Sequence, residues 1–294
     1  MFRMRIRTSR AATRYQAGHW SHVSVAILFL LLAGEAAARP GSDDKNESGP
    51  LPETTAPVPA SPSASIYRPG LRNSPAENSL SAKELDVLLT SLRDKTGFSG
   101  LQLDEAGFLI LEDETVSSGG SEWARNLVLA ALHGHKSISL QSHNRSSTVA
   151  FARTSSPTMY RSMAAGTRIE LHPIEIDFAD FRALQGDREA VRAFDPGIVV
   201  LHELCHIVLN LRDPESSRSL AGDCEDYVNR IRLDLGMPVR ETYQARLRTA
   251  QPAMGSATTR VAELVFAQQG QPGQKGSPKW FYLQWDPTRV GGTR

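Results

Sequence analysis

The chain has 294 residues, with 33 Lys+Arg against 32 Asp+Glu and a formal net charge of +1. A balance this even leaves no global basic field of the kind that draws proteins to nucleic acid, so no nucleic-acid partner is expected. The only cysteines, Cys205 and Cys224, rule out a disulfide framework and a cysteine-based zinc finger. Two buried free thiols are the expectation for them, with one bridge as the alternative.

Residues 1–38 read as an export leader. Arg3, Arg5, Arg7, Arg10 and Arg14 precede an apolar run from Val23 to Ala33, and Ala36-Ala37-Ala38 offers small residues to a signal peptidase. The run is short for a membrane span, so no stable insertion is expected after export. A non-cleaved export leader and a start codon placed too early fit the same residues. Residues 39–80 are rich in Pro, Ser, Glu and Asn, which bury too little surface to offset chain entropy, so a disordered linker is expected there.

A catalytic domain is expected over 81–250. It opens with a capping box, Ser81 to Glu84, ahead of an apolar helical stripe from Leu85 to Leu92. A hairpin over Leu101–Leu103 and Phe108–Leu111 follows, then a helix from Ser121 to His133. Strands are predicted at Ser137–Gln141, Thr148–Arg153 and Thr167–Asp177. Asp195 and Pro196 are the N-cap and first-turn residues of a helix that is apolar on nearly every side, hence buried. A second helix runs from Asp223, its expected N-cap, to Leu235, ended by Gly236 and Pro238; Asp226 and Arg230 are expected to pair on its outer side. Residues 251–294 form a C-terminal tail in which Trp280–Trp285 reads as a terminal strand packed on the body, or else as a binding segment.

The buried helix carries His202-Glu203-Leu204-Cys205-His206. An H-E-x-x-H on a helix sets two imidazoles one turn apart on one face, where both reach a single zinc ion. Glu203 lies about 100° round the helix and would act as general base toward water. Three polar side chains in a buried apolar helix need partners, and a metal would satisfy them together. A catalytic zinc takes three protein ligands. Glu225, on the core edge of the second helix, is the expected third. Asp226 faces outward and Asp223 is accounted for by the cap. Asn229, one turn on from Glu225, is placed to accept a ring N–H from a ligand histidine; an ordinary edge residue is the alternative. Arg240 and Tyr243, three apart, are candidate oxyanion partners if they share a helical turn, against the simpler reading of a surface arginine and a half-buried tyrosine.

Taken together, H-E-L-C-H, Glu225 to Asn229, Gly236-Met237-Pro238 and Arg240-Glu241-Thr242-Tyr243 resemble the NleD-like zinc metallopeptidase effectors delivered by type III secretion, over roughly residues 120–250. The Arg-x-x-Tyr pattern is also similar to that of clostridial neurotoxin light chains, which supports a catalytic role for Arg240 and Tyr243. The resemblance implies an α+β, zincin-like fold with a small twisted sheet, the motif helix and a second ligand-bearing helix. It implies a secreted virulence hydrolase, a zinc metalloprotease that cleaves host signalling proteins such as mitogen-activated protein kinases. An apolar leader is unusual for a type III substrate. The alternatives are a periplasmic or extracellular general metallopeptidase reached through a cleaved signal peptide, and an inactive zincin that binds a partner without cutting.

Overall fold

The computed structural model describes residues 68–112, 119–161, 168–214, 221–250, 259–268 and 277–291. The expected leader, and the linker as far as residue 67, lie outside them. The described residues form a mixed α+β structure in which three helices pack beside a mixed sheet and a second, antiparallel sheet follows in sequence. No helix among them is long and apolar enough to cross a membrane.

Three parallel strands make the body of the first sheet: β1 (Gly70–Asn73), β4 (Ser137–Ser142) and β7 (Arg168–Ile176), in the order β1-β4-β7. Parallel neighbours need a crossover. The chain supplies it between β1 and β4 through α1 (Ala82–Thr96), a hairpin of β2 (Leu101–Leu103) and β3 (Leu109–Leu111), and α2 (Glu122–His133). Strand β1 falls inside the stretch read as linker, so the fold starts earlier than position 81. Ser81 and Glu84 cap α1 reciprocally, as expected, and Ser121 caps α2. The free edge of the sheet is antiparallel and in two pieces, β5 (Ala152–Thr154) and β6 (Thr158–Arg161), paired to successive halves of β7. Side chains alternate across a strand, and the even-numbered set, Ile138, Leu140, Ile174 and Ile176, is buried.

Helix α3 (Phe178–Arg182), the two-residue strand β8 (Gln185–Gly186) and α4 (Arg188–Arg192) lead from that sheet to α5 (Pro196–Leu209), the motif helix. Residues Gly197 to Cys205 of α5 are all buried. Its N-terminus is held by Asp195, which caps Ile198 N at 3.0 Å and receives Ser91 Oγ at 2.9 Å and Lys95 Nζ at 2.7 Å from α1. The close approach of α1 needs Gly197, because a Cβ there would stand 2.2 Å from Ser91 Oγ. Helix α6 (Asp223–Asp234) crosses α5. Gly222, not Asp223, is its N-cap residue, and Arg230 lies 4.5 Å over the Trp123 ring rather than against Asp226.

Strands β9 (Val239–Arg240), β10 (Arg246–Ala250), β11 (Thr259–Gln268) and β12 (Lys279–Trp285) join β8 in the second sheet. Since β10 pairs with β11 across the boundary drawn at 250, the last segment is part of the fold. Phe266, Phe281, Leu283 and Trp285 cover its inner face, while Trp280 and Tyr282 stay exposed on the outer one. Both β9 and β10 pair with β11, as two pieces of an edge strand interrupted at 241–245. That interruption lifts Tyr243 off the sheet toward α5.

Candidate metal centre

Helix α5 holds His202 and His206 on one face, with ring centroids 5.0 Å apart and planes at 81°. The helix stops at Asn210, which adopts the left-handed conformation (φ 56°) and returns its N–H to Cys205 O. Asparagine is one of the few residues that enters this region readily. The turn brings Leu211 O to 2.9 Å from His206 Nδ1, and then brings Asp213 back over both rings. Asp213 Oδ1 stands 3.0 Å from His202 Nε2, and its Oδ2 stands 3.3 Å from His206 Nε2. The three donors therefore converge from one contiguous stretch of chain.

The acceptor at His206 Nδ1 is a carbonyl, and Glu225 Oε2 stands 3.5 Å from His202 Nδ1. The carbonyl at His206 Nδ1 calls for the Nδ1–H tautomer, which leaves the His206 Nε2 lone pair aimed at Asp213. A proton or a metal ion between His206 Nε2 and the Asp213 carboxylate reconciles the two acceptors. Burial alone would lower the His206 pKa, but Asp213, then Cys224, outweigh it and raise it to about 11. Burial likewise favours neutral Asp213, yet the two histidines hold its carboxyl far below the ordinary aspartate value. A divalent ion can take the place of that shared proton. Ligands about 2.0–2.1 Å from a tetrahedral zinc stand roughly 3.3 Å from one another, close to the separations found here. His202, His206 and Asp213 thus fit a metal ion. Cys224 Sγ belongs to the same donor group, within 4.8 Å, but it sits 3.1 Å from His206 Nδ1, on the far side of the ring from Asp213. Contact with Cys205 and burial both raise the Cys224 pKa, which keeps it a thiol. Both cysteines are free and buried.

Glu225 does not join the donors, which corrects the expected third ligand. Its side chain is 1 % exposed and both oxygens are engaged: Oε1 by Arg232, Oε2 by Arg240 Nη1 at 3.0 Å. It stands behind His202, where it orients the ring. Burial would raise the pKa of Glu225, but the Arg232 and Arg240 guanidinium groups outweigh it and hold it near 2. A depressed carboxylate stabilises the fold fully above its ordinary value of 4.5, and that contribution is lost as pH falls toward 2. Asn229 is corrected too. It touches no histidine; its Oδ1 accepts from Arg232 at 2.8 Å and Arg240 N at 2.9 Å, and its Nδ2 donates to Arg240 O at 2.9 Å. Arg232 is 1 % exposed and also bonds Ala193 O at 2.9 Å, so it ties α6 to the end of α4. Replacing it with methionine leaves the buried Glu225 carboxylate with Arg240 alone. We expect this to cost about 3–5 kcal/mol of folding stability, measured by urea denaturation.

Arg240 is not free to meet a substrate. It bonds Glu225, the Thr242 carbonyl at 3.0 Å and the Tyr243 carbonyl, and its guanidinium lies 5.1 Å over the Tyr243 ring. It holds the 241–245 excursion in place, from a short strand and loop instead of the expected helical turn. Tyr243 itself reaches the centre. It stacks on His202 at 5.9 Å and donates its hydroxyl to Asp213 Oδ2 at 2.6 Å. Burial and the Asp213 charge raise its pKa, so the phenol stays protonated and able to donate. Glu203, buried beside the donors, accepts from Thr154 Oγ1 at 2.8 Å.

The sequence reading missed Asp213 and Thr154. Asp213 had a signal, since a carboxylate shortly past a helix-stopping Asn can fold back over the last turn. Thr154 had none, because it is brought to Glu203 only by the sheet. No protein-family model, no curated protein and no solved structure matches this chain.

Proposed function

We propose that the protein is a zinc-dependent endopeptidase of zincin-like fold. The observation that carries the reading is the convergence of His202 Nε2, His206 Nε2 and the Asp213 carboxylate beside Glu203. His202, His206 and Asp213 would hold the ion. When bound, zinc would polarise the scissile carbonyl and make water acidic enough to give up a proton near neutral pH. Glu203 takes the proton from the attacking water and passes it to the amide nitrogen as the C–N bond breaks. Once Asp213 ligates the ion, the Tyr243 hydroxyl, which donates to Asp213 Oδ2 at 2.6 Å, would turn to the carbonyl oxygen as charge grows on it. Arg240 positions Tyr243, and Glu225 positions His202.

Substrate access is supported by the β5 edge. Phe151 O accepts from Asp177 N at 2.8 Å and Ser155 N donates to Pro173 O at 3.1 Å, so the odd-numbered residues bond inward. Bonding alternates along an antiparallel strand, which turns the Thr154 N–H and C=O toward the open edge. An extended chain can add there, next to Glu203. The resemblance to secreted effector peptidases supports host signalling proteins as the substrate class, while the arginine-rich apolar leader supports export by a signal peptide.

The full chain should retain about one zinc per molecule by mass spectrometry. It should cleave casein, read as new N-termini, with loss of activity in 1,10-phenanthroline and recovery on adding zinc. A chain that binds no zinc under these conditions would sink the reading.

A further inference from the structure

Thr154 meets Glu203 with more than a chance contact, because its hydroxyl direction is set from both sides. Threonine has a stiff χ1, so the backbone of β5 aims the hydroxyl. That backbone is clamped in turn. Glu175, buried on the opposite face of β7, accepts from Arg153 Nε at 2.7 Å and from Ser155 Oγ at 2.5 Å, the two neighbours of Thr154. The contacts with Arg153 and Ser155 outweigh burial and lower the Glu175 pKa, so the clamp stays ionised. Ladder pairs 152 to 176, 153 to 175 and 154 to 174 lock the strand to the sheet. Thr154 thus points its side chain at the α5 carboxylate while its backbone faces the open edge.

We infer that Thr154 is a positioning residue for the general base, and that it couples the base to the strand along which substrate lies. This rests on the endopeptidase reading. One carboxylate oxygen of Glu203 is tied to Thr154, which leaves the other directed toward the attacking water. A substrate strand added at Thr154 is thereby registered to the base through a single residue. Misplacing a catalytic group by about 1 Å costs on the order of 10²-fold in rate.

The test uses the full chain and a fluorogenic peptide chosen by wild-type cleavage of a random-peptide library. Thr154→Val keeps the shape and removes the donor. It should lower kcat by about 10- to 100-fold with KM and zinc content unchanged, because the bond matters only once the reaction begins. Thr154→Ser restores the hydroxyl and should recover kcat to within a few-fold. In crystal structures, the Glu203 carboxylate should swing away in Thr154→Val and stay in place in Thr154→Ser. Wild-type kcat in Thr154→Val overturns the inference. So does Thr154→Ser as slow as Thr154→Val, or a rate loss that tracks loss of zinc. Should the wild type cleave nothing in the library, the endopeptidase reading falls. The two crystal structures then still decide whether Thr154 sets the place of Glu203.

Discussion

Asp213→Ala will abolish tight zinc binding, whereas Glu225→Ala will only weaken it. Asp213 contributes the carboxylate that faces both Nε2 atoms, and among the described residues no other acidic group joins the donor set. Its loss should lower zinc affinity on the order of 10³-fold or more, to the two-histidine level. Glu225 touches only the far nitrogen of His202, at 3.5 Å. Removing an outer partner of this kind costs roughly 10- to 100-fold in affinity. It will also leave Arg232 and Arg240 without their shared carboxylate, so the variant should melt earlier than Asp213→Ala. Competition with a chromogenic chelator measures the first effect and calorimetric melting of the metal-free proteins the second. Equal zinc affinities, or the reverse order, would return Glu225 to the ligand position.

The second large effect concerns turnover. Glu203→Gln retains the shape and the Thr154 contact but removes the base. It should lower kcat/KM by about 10²–10⁴-fold with zinc content and melting temperature near wild type. Because Thr154 donates to Glu203 Oε2, the glutamine carbonyl can keep that bond and the fold has no reason to respond. Cleavage of the selected fluorogenic peptide, with zinc measured on the same samples, separates a chemical defect from metal loss. Activity that survives in Glu203→Gln would assign the base elsewhere.

The motif helix was legible because every local signal agreed. Asp195 caps, Pro196 starts, the stripe is apolar throughout, and His202, Glu203 and His206 are its polar intrusions. The third donor was less legible because Asp213 lies in the connector after Asn210, where no helical or strand period marks a side chain's direction. Glu225, a polar group at a core edge, does have partners. Its partners are Arg232, two turns along the same helix, and Arg240, and not the metal site directly. The second sheet was harder to read. β8 and β9 have two residues each, too few for any period, and the Gln, Gly and Pro around β11 obscured the run Val261 to Ala267. Strand β6 and the exact reach of β5 depend on pairing with β7, a long-range fact that no local pattern carries.

The three candidate donors are only 11 positions apart, from His202 to Asp213. Loop-closure entropy grows with the logarithm of loop length, so this short span is cheap to close. Ligation of an ion there would need little more than α5 and the turn at Asn210, and would be free to precede docking of the second sheet. Glu225, Arg232, Arg240 and Tyr243 come later in the chain and arrive only with α6 and β9. A metal captured early would act as a folding nucleus, speeding the forward reaction. The arginine–glutamate cluster would instead act after the barrier, by slowing escape from the native state.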